Sequence, residues 1–190
     1  TIYQHLSSIT NLEEDSLLKF RYLDIDSITN LNIIQGFDCI LIHYSIRICY
    51  DQIPALIENF LKSYEGTKVL FIQDDYDNTN KAISKIKKIN FDIVFTCVPE
   101  KSIEKIYPSN IFPNTKFESV LTSYCMEKDL NEFKMLSKSR DRKIVVGYRG
   151  RELALRYGEL GKQKKELAII FNKYCKKHKI PSNIKYKEES

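Results

Sequence analysis

The sequence predicts an α/β protein with a Rossmann-like open parallel sheet and helices on both faces. Short, continuous apolar runs recur along the chain, a pattern typical of strands that are buried on both faces. Amphipathic helical segments separate these runs, and strands that alternate with helices form parallel sheets. The 190 residues are 43% hydrophobic and 29% charged, which suits one large domain or one domain with part of another. No apolar run approaches the roughly 20 residues that a membrane span requires.

The first 140 residues are predicted to contain three or four βα units. In chain order the elements are a helix at 2–9, strands at 20–25 and 38–44, a helix at 53–64, a strand at 68–73, a helix through Ile83, Ile86 and Ile89, a strand at 91–97, a helix from Pro99 to Tyr107, a strand at 117–121 and a helix at 130–136. The chain opens in what reads as the helix after a first strand, so we expect that strand to lie outside the sequence.

A polar connector without apolar residues, Ser137 to Arg142, predicts a domain boundary near residue 140. We therefore expect residues 1–140 to form one domain and residues 141–190 to begin a second Rossmann-like domain with its first βα unit. In that unit, Ile144 to Val146 predicts a strand, and Gly147 and Gly150 predict a tight loop after it. A helix is predicted after Gly158 and Gly161, with Leu167, Ile170, Phe171 and Tyr174 at helical spacing, and a short strand at 184–186.

The positive charge of the chain is concentrated in its last fifty residues. Residues 141–190 carry 14 Lys plus Arg against 6 Asp plus Glu, or +8, whereas residues 1–140 carry 16 against 19, or −3. A solvated helix face explains most of the lysines, but Arg149 and Arg151 fall in the predicted glycine loop. Guanidinium groups bind phosphate in bidentate fashion, and a helix N-terminus presents free N–H groups to anions. The segment is therefore predicted to form a diphosphate-binding corner.

Polar residues follow two of the predicted buried strands, where α/β proteins build their sites. His43-Tyr44-Ser45 ends the first, and His43 fits a substrate-contacting base or a structural hydrogen bonder equally well. Gln73-Asp74-Asp75-Tyr76 ends the second. Its carboxylates are compatible with Mg²⁺ binding as in receiver domains, with sugar contact, or with capping of the next helix, which we favour for at least one of them.

The five cysteines are scattered and contain no CxxC pair, so we expect reduced thiols rather than metal ligands or a disulfide framework. The N-terminus lacks the basic start and apolar core of a secretory signal. A cytoplasmic setting is the expectation that follows.

Four groups of residues follow one another along the chain: His43-Tyr44-Ser45, Leu70 to Tyr76, Phe95 to Pro99, and Gly147 to Arg151 with Tyr157 to Gly161. Together they resemble a bacterial glycosyltransferase family with the two-domain GT-B fold. These are similar, in the same order, to the IHYS, FIQDEY, FTCVP and GYRGR…YGxLG segments of those proteins, and Asp75 stands where a Glu is expected. The resemblance implies an acceptor-side domain at 1–140 and the start of the nucleotide-sugar domain from about 141.

The resemblance also implies roles for particular residues. In retaining members of the fold, an Arg and a Lys after the first strand of the second domain bind the donor diphosphate. The best matches here are Arg151 and Lys164, with Arg149 as the competing arginine and Gly147 and Gly150 in the loop. The catalytic residue is unassigned, with His43 as the candidate. The acceptor-side candidates are His43, Tyr44, Ser45, Gln73, Asp74, Asp75 and Tyr76.

The expected function of the full-length protein is sugar transfer from a nucleotide-sugar to a glycan or lipid-linked acceptor, without a metal or other cofactor. The expected partners are the donor, the acceptor and the remaining C-terminal domain of the same protein, and we expect the fragment alone to be inactive. Nucleic acid is not expected, since no DNA- or RNA-binding signature is present. The basic surface is compatible with peripheral contact at the inner face of a membrane. The alternative is a non-enzymatic receiver-like or nucleotide-binding α/β module.

Overall fold

A computed structural model describes residues 2–10, 18–121, 127–137, 143–151 and 153–187. The chain divides into two compact units, 1–126 and 127–190. The sequence placed the break near residue 140, so the helix before the polar connector falls in the second unit rather than the first. The connector itself, at 138–142, lies outside the described residues.

The first unit is an α/β structure with one four-stranded parallel sheet, in the strand order β1-β2-β3-β4. Its elements are α1 (Ile2–Thr10), α2 (Asn32–Gln35), β1 (Cys39–Ile42), α3 (Ala55–Ser63), β2 (Thr67–Phe71), α4 (Thr79–Ile89), β3 (Ile93–Thr96), α5 (Glu100–Ile106) and β4 (Lys116–Ser119). The predicted parallel α/β class and these elements other than α2 are thereby confirmed, whereas α2 was not predicted from the sequence.

Helices lie on both faces of the sheet. One face packs against α3, α4 and α5 in a single core, where Leu70 and Val94 of the sheet meet Leu61 and Ile86 of the helices. The ring of Phe71, which alternates with Leu70 along β2, lies instead 5.9 Å from His5 of α1. Hence α1 lies on the face opposite that core.

The predicted strand at 20–25 is wrong. The described residues there form no strand, and a short 3₁₀ turn follows at Ile25–Ser27. The side chain of Asp24 accepts a hydrogen bond from the backbone N–H of Asp26 at 3.1 Å. This local side-chain contact gives the backbone an alternative to pairing with a neighbouring strand.

The second unit contains α6 (Glu127–Ser137), β5 (Val146–Arg151), α7 (Gly158–Lys177) and β6 (Ser182–Lys187). β5 and β6 pair in parallel, and α7 contacts both, so the three form one βαβ unit. The predicted helices and the late strand are confirmed. The strand predicted at 144–146 is misplaced, because β5 begins only at Val146, and the predicted loop is wrong, because Gly147 and Gly150 lie inside β5. No helix of the described residues is long and apolar enough to cross a membrane.

Candidate functional site

The sheet of the first unit brings the predicted acceptor-side residues to one edge. β1 ends at Ile42 and β2 at Phe71, so the segments 43–45 and 73–76 both follow carboxyl ends of paired parallel strands. Open α/β sheets bind ligands beyond this edge. The side chains nevertheless have very different environments, and only some of them face outward.

His43 is buried and is held at both ring nitrogens. Its Nδ1 accepts from the backbone N–H of Ser45 at 3.2 Å and lies 2.9 Å from the Ser45 hydroxyl, while Nε2 lies 2.8 Å from Nδ1 of His5. Nδ1 therefore carries no proton, and the neutral ring donates from Nε2 to His5. Burial, and after it the neighbouring His5, lower the pKa of His43 to about 4. As folded, this histidine orders α1 against the sheet.

Asp75 points into the core rather than toward a ligand. Its Oδ1 accepts from the Thr96 hydroxyl and from the Tyr107 hydroxyl, each at 2.5 Å, and its Oδ2 accepts from the backbone N–H of Cys97 at 3.3 Å. Burial, and then the hydrogen bond to Asp75, raise the pKa of Tyr107. The carboxylate thus ties the end of β2 to β3 and α5.

Asp74 and Tyr76 lie at the surface. The Tyr76 ring is 68% exposed, and its hydroxyl donates to Asp74 at 3.3 Å. The favoured capping of α4 by an aspartate is wrong, because the residue before the helix is Asn78 and no side chain caps it. Among the predicted residues of this segment, Gln73 and Asp74 line a cavity and Tyr76 lies outside it.

Arg47 is the site residue that sequence reasoning missed. Its Nη2 donates to Asp77 at 2.5 Å and lies 3.7 Å from Asp74, and its guanidinium carbon sits 4.3 Å from the centre of the Tyr50 ring. The Tyr50 hydroxyl also donates to Asp77, at 2.8 Å. One cation therefore faces two carboxylates, so the cluster as a whole is not basic.

A cavity of about 20 Å³ lies beside this cluster. Its polar lining comes from Tyr44, Arg47, Gln73 and Asp74, and apolar side chains complete it. Arg47 Nε is buried and has no hydrogen-bond partner within the described residues. A space of this size accommodates one water or one ligand hydroxyl. The geometry suits hydrogen bonding to a hydroxyl group rather than charge recognition of an anion.

Packing or backbone conformation, rather than ligand binding, explains several glycines of the second unit. An added Cβ on Gly150 would lie 2.7 Å from the Tyr148 ring, whose hydroxyl donates to the Lys164 carbonyl at 2.6 Å. Gly158 has φ +61°, a conformation that favours glycine. Gly161 lets the first turn of α7 approach the chain before it, since a Cβ there would lie 2.7 Å from that of Tyr157. An added Cβ would meet no atom within 4 Å at Gly147 or at Gly158, so only the backbone conformation favours glycine at Gly158 and neither reason applies to Gly147.

The predicted donor residues occupy different positions along β5 and α7. Arg151 is the last residue of β5 and is exposed, at the edge where α7 begins. Arg149 lies two residues earlier and donates to the backbone carbonyls of Tyr148 and Asn183, at 2.9 and 2.7 Å. Lys164 is exposed in the second turn of α7. Arg151 and the helix N-terminus are thus the groups that the topology brings to one edge.

Within the described residues, no group of three or more His, Cys, Asp and Glu side chains is placed to hold a metal ion. The four described cysteines, Cys39, Cys49, Cys97 and Cys175, are free thiols. No protein-family model matches the chain, and no curated protein or solved structure is significantly similar to it.

Proposed function

We propose that the chain is part of a nucleotide-sugar-dependent glycosyltransferase with a GT-B architecture. The first unit would supply the acceptor side and the second would begin the nucleotide-sugar domain. The sugar would pass from a nucleoside diphosphate carrier to a glycan or lipid-linked acceptor. The proposal rests on the resemblance of four sequence segments together with the parallel α/β fold of the first unit.

The observation that carries the proposal is the parallel β5-α7-β6 unit. Parallel pairing places the carboxyl end of β5, with Arg151, at the same edge as the N-terminus of α7 at Gly158. Breaking a sugar–diphosphate bond builds negative charge on the leaving phosphate. A guanidinium and the free N–H groups of a helix N-terminus stabilise such charge without requiring proton transfer.

The acceptor side is proposed at the cavity beside Tyr44, Gln73 and Asp74. Amide and carboxylate groups accept hydrogen bonds from a sugar hydroxyl, and the cavity has room for one such group. The roles of His43 and Asp75 differ from those expected of ligand contacts. Both are buried, and their polar atoms bond to other parts of the unit.

The receiver-like alternative has less support. A receiver-type Mg²⁺ site needs its strand-end carboxylates on a single cation. Asp75 has both oxygens occupied in the core by Thr96, Tyr107 and the backbone of Cys97. Asp74 lies at the surface beside Arg47, with its side chain 40% exposed. The two carboxylates therefore do not form one site.

The proposed diphosphate site is tested by titrating UDP, GDP and inorganic pyrophosphate into the ¹⁵N-labelled chain and following backbone amide shifts. We expect saturable shifts at Arg151 and Gly158 to Gly161, which Arg151→Ala together with Lys164→Ala abolishes. Lys176→Ala, in the last turn of α7, is the matched control and should bind like the parent. Absence of saturable shifts at millimolar ligand, or equal loss in the control, would refute the diphosphate assignment.

A further inference from the structure

One side of α7 presents an uncovered row of large apolar side chains, which we call the α7 stripe. Its members and their exposed fractions are Leu160 77%, Leu167 41%, Ile170 58%, Phe171 38% and Tyr174 56%. These positions are spaced by three, four and seven residues, so they share one side of the helix. The buried side of α7 is a different one, marked by Gly161, Ala168 and Cys175. Phe171 stands at the border of the two, since its ring also contacts that of Tyr148 in β5, with 5.8 Å between ring centres.

Stable proteins rarely leave several large apolar side chains exposed on one side of a helix, and such groups mark interaction sites. The last four members of the stripe are neighbours, whereas Gln163 and Lys164 separate Leu160 from them. The stripe runs through four turns of a 20-residue helix, a length of about 20 Å at the usual rise per residue. Ile169 is also exposed, at 46%, but it lies on the far side of the helix and does not belong to the row.

The rest of the exposed surface of α7 is basic. The helix carries six lysines against two glutamates. Lys164 borders the stripe on one side. Lys177 borders it on the other together with Glu159 and Glu166, whose carboxylates lie 3.9 and 3.7 Å from the ammonium group of Lys162. The surrounding segment 141–190 has a net charge of +8, while the remainder of the chain is acidic. An apolar row bordered by lysines on a basic unit is the pattern of a helix that lies in a membrane interface.

Each class of partner would use only certain of these features. A nucleic acid would engage the lysines and has no use for a row of leucine, isoleucine and phenylalanine. A protein partner or a second copy would cover the stripe, but the surrounding charge of +8 would oppose self-association. An anionic bilayer uses both features at once, because the acyl boundary takes the apolar side chains and the headgroups attract the lysines.

We propose that the α7 stripe docks the second unit on an anionic lipid surface. Ile170, Leu167 and Phe171 would enter the boundary between headgroups and acyl chains, with the phenolic hydroxyl of Tyr174 at headgroup level. Lys164 and Lys177 would extend toward lipid phosphates. This inference is independent of the proposed transferase activity, since it needs neither a nucleotide nor an acceptor.

The test is co-sedimentation of the whole chain with sucrose-loaded vesicles of phosphatidylcholine containing about one-third phosphatidylglycerol, against vesicles of phosphatidylcholine alone. We expect binding to the first that weakens as salt is raised, and little binding to the second. Ile170→Glu should lower the apparent partition coefficient about tenfold or more. Ile169→Glu, the same change at a similar exposure outside the stripe, should leave it within about twofold.

Lys164→Gln with Lys177→Gln gives the electrostatic arm of the test, because these two lysines border the stripe. Each charge near an anionic surface changes binding by about fivefold, so the double variant should bind more weakly and with a shallower salt dependence. Both isoleucine variants lie at exposed positions, and unchanged far-UV circular dichroism confirms that they are folded.

Three results would overturn the proposal. The parent chain fails to bind anionic vesicles at low salt, or Ile169→Glu and Ile170→Glu weaken binding equally. Alternatively, size-exclusion chromatography shows a dimer that Ile170→Glu converts to a monomer, in which case a second copy covers the stripe. UDP binding measured on the same samples separates this failure from failure of the transferase proposal.

Discussion

Tyr107→Phe tests whether Asp75 belongs to the core rather than to a ligand site. The substitution removes one hydroxyl and leaves the ring, which is 1% exposed and stacks on Phe117 with 4.4 Å between ring centres. The lost bond is a 2.5 Å contact with a buried carboxylate, which keeps only the Thr96 and Cys97 donors. Hydrogen bonds to charged groups contribute about 1.5–3 kcal/mol, so we expect a loss of about 2 kcal/mol.

The measurement is urea unfolding followed by far-UV circular dichroism. With a slope of about 2 kcal/mol/M, the midpoint should fall by about 1 M. Tyr50→Phe is the matched control, because its hydroxyl donates to Asp77 in an exposed position, and its midpoint should equal that of the parent. If Tyr107→Phe also unfolds at the parent midpoint, Asp75 is not held by this network, and its assignment to the acceptor side would regain support.

Three further outcomes follow from the described contacts. Hydrogen bonds from Lys85 and then Lys88 lower the pKa of Glu58 from 4.5 to about 2, so Glu58→Gln should lower the free energy of unfolding by about 1–2 kcal/mol at neutral pH after solvent screening. In thermal unfolding, the difference in stability between parent and variant should vanish as pH falls from 4.5 to 2. A difference that stays constant over this range would contradict the prediction. Burial lowers the pKa of His43 from 6.5 to about 4, so between these pH values the unfolded chain binds a proton that the folded chain does not. The free energy of unfolding should therefore fall by about 2 kcal/mol as pH falls from 6.5 to 4. Urea midpoints that do not change over this range, or that change equally in His43→Gln, would rule this out. Gly161→Ala should destabilise the second unit by about 1–3 kcal/mol, because the added Cβ would lie 2.7 Å from that of Tyr157, whereas Gly147→Ala should not, because its Cβ meets no atom within 4 Å. Hydrogen exchange of the α7 amides compares the two variants. Equal protection in both would count against the packing argument.

The first three strands of the first unit were predictable because a strand that is buried on both faces has a continuous run of apolar residues. β1, β2 and β3 each contain an apolar run, since a strand covered on both sides cannot alternate with polar residues. β4, at one edge of the sheet, alternates instead, as Lys116-Phe117-Glu118-Ser119. The segment at 20–25 mixes apolar and charged residues, but no strand among the described residues pairs with it. Pairing depends on distant chain, so composition alone could not exclude it.

Glycine was the main source of error in the second unit. A glycine between polar residues reads as a turn, and Gly147 and Gly150 were interpreted in that way. In the structure Gly150 makes room for the ring of Tyr148 two residues earlier, which is a requirement of packing rather than of backbone conformation. Sequence carries no signal that separates the two requirements.

The candidate site was only partly predictable, because side-chain direction after a strand is set by the loop. The sequence located the edge with Gln73 and Asp74 correctly but could not tell which of two adjacent carboxylates turns inward. Nor could it indicate Arg47, whose partner Asp77 is thirty residues away and shares no motif with it. Its contact with Asp77 follows only from the pairing of β1 with β2, which brings together the segments after these two strands.

The order of strands in the sheet, which matches their order along the chain, bears on how the protein is made. Each strand pairs with the one synthesised just before it, and paired residues lie about 25 residues apart in sequence. A chain leaving the ribosome could therefore add β2 to β1, β3 to β2 and β4 to β3 as each appears. From β2 onward, each new strand finds a partner that has already been made, so little unpaired sheet edge would be open to aggregation during synthesis.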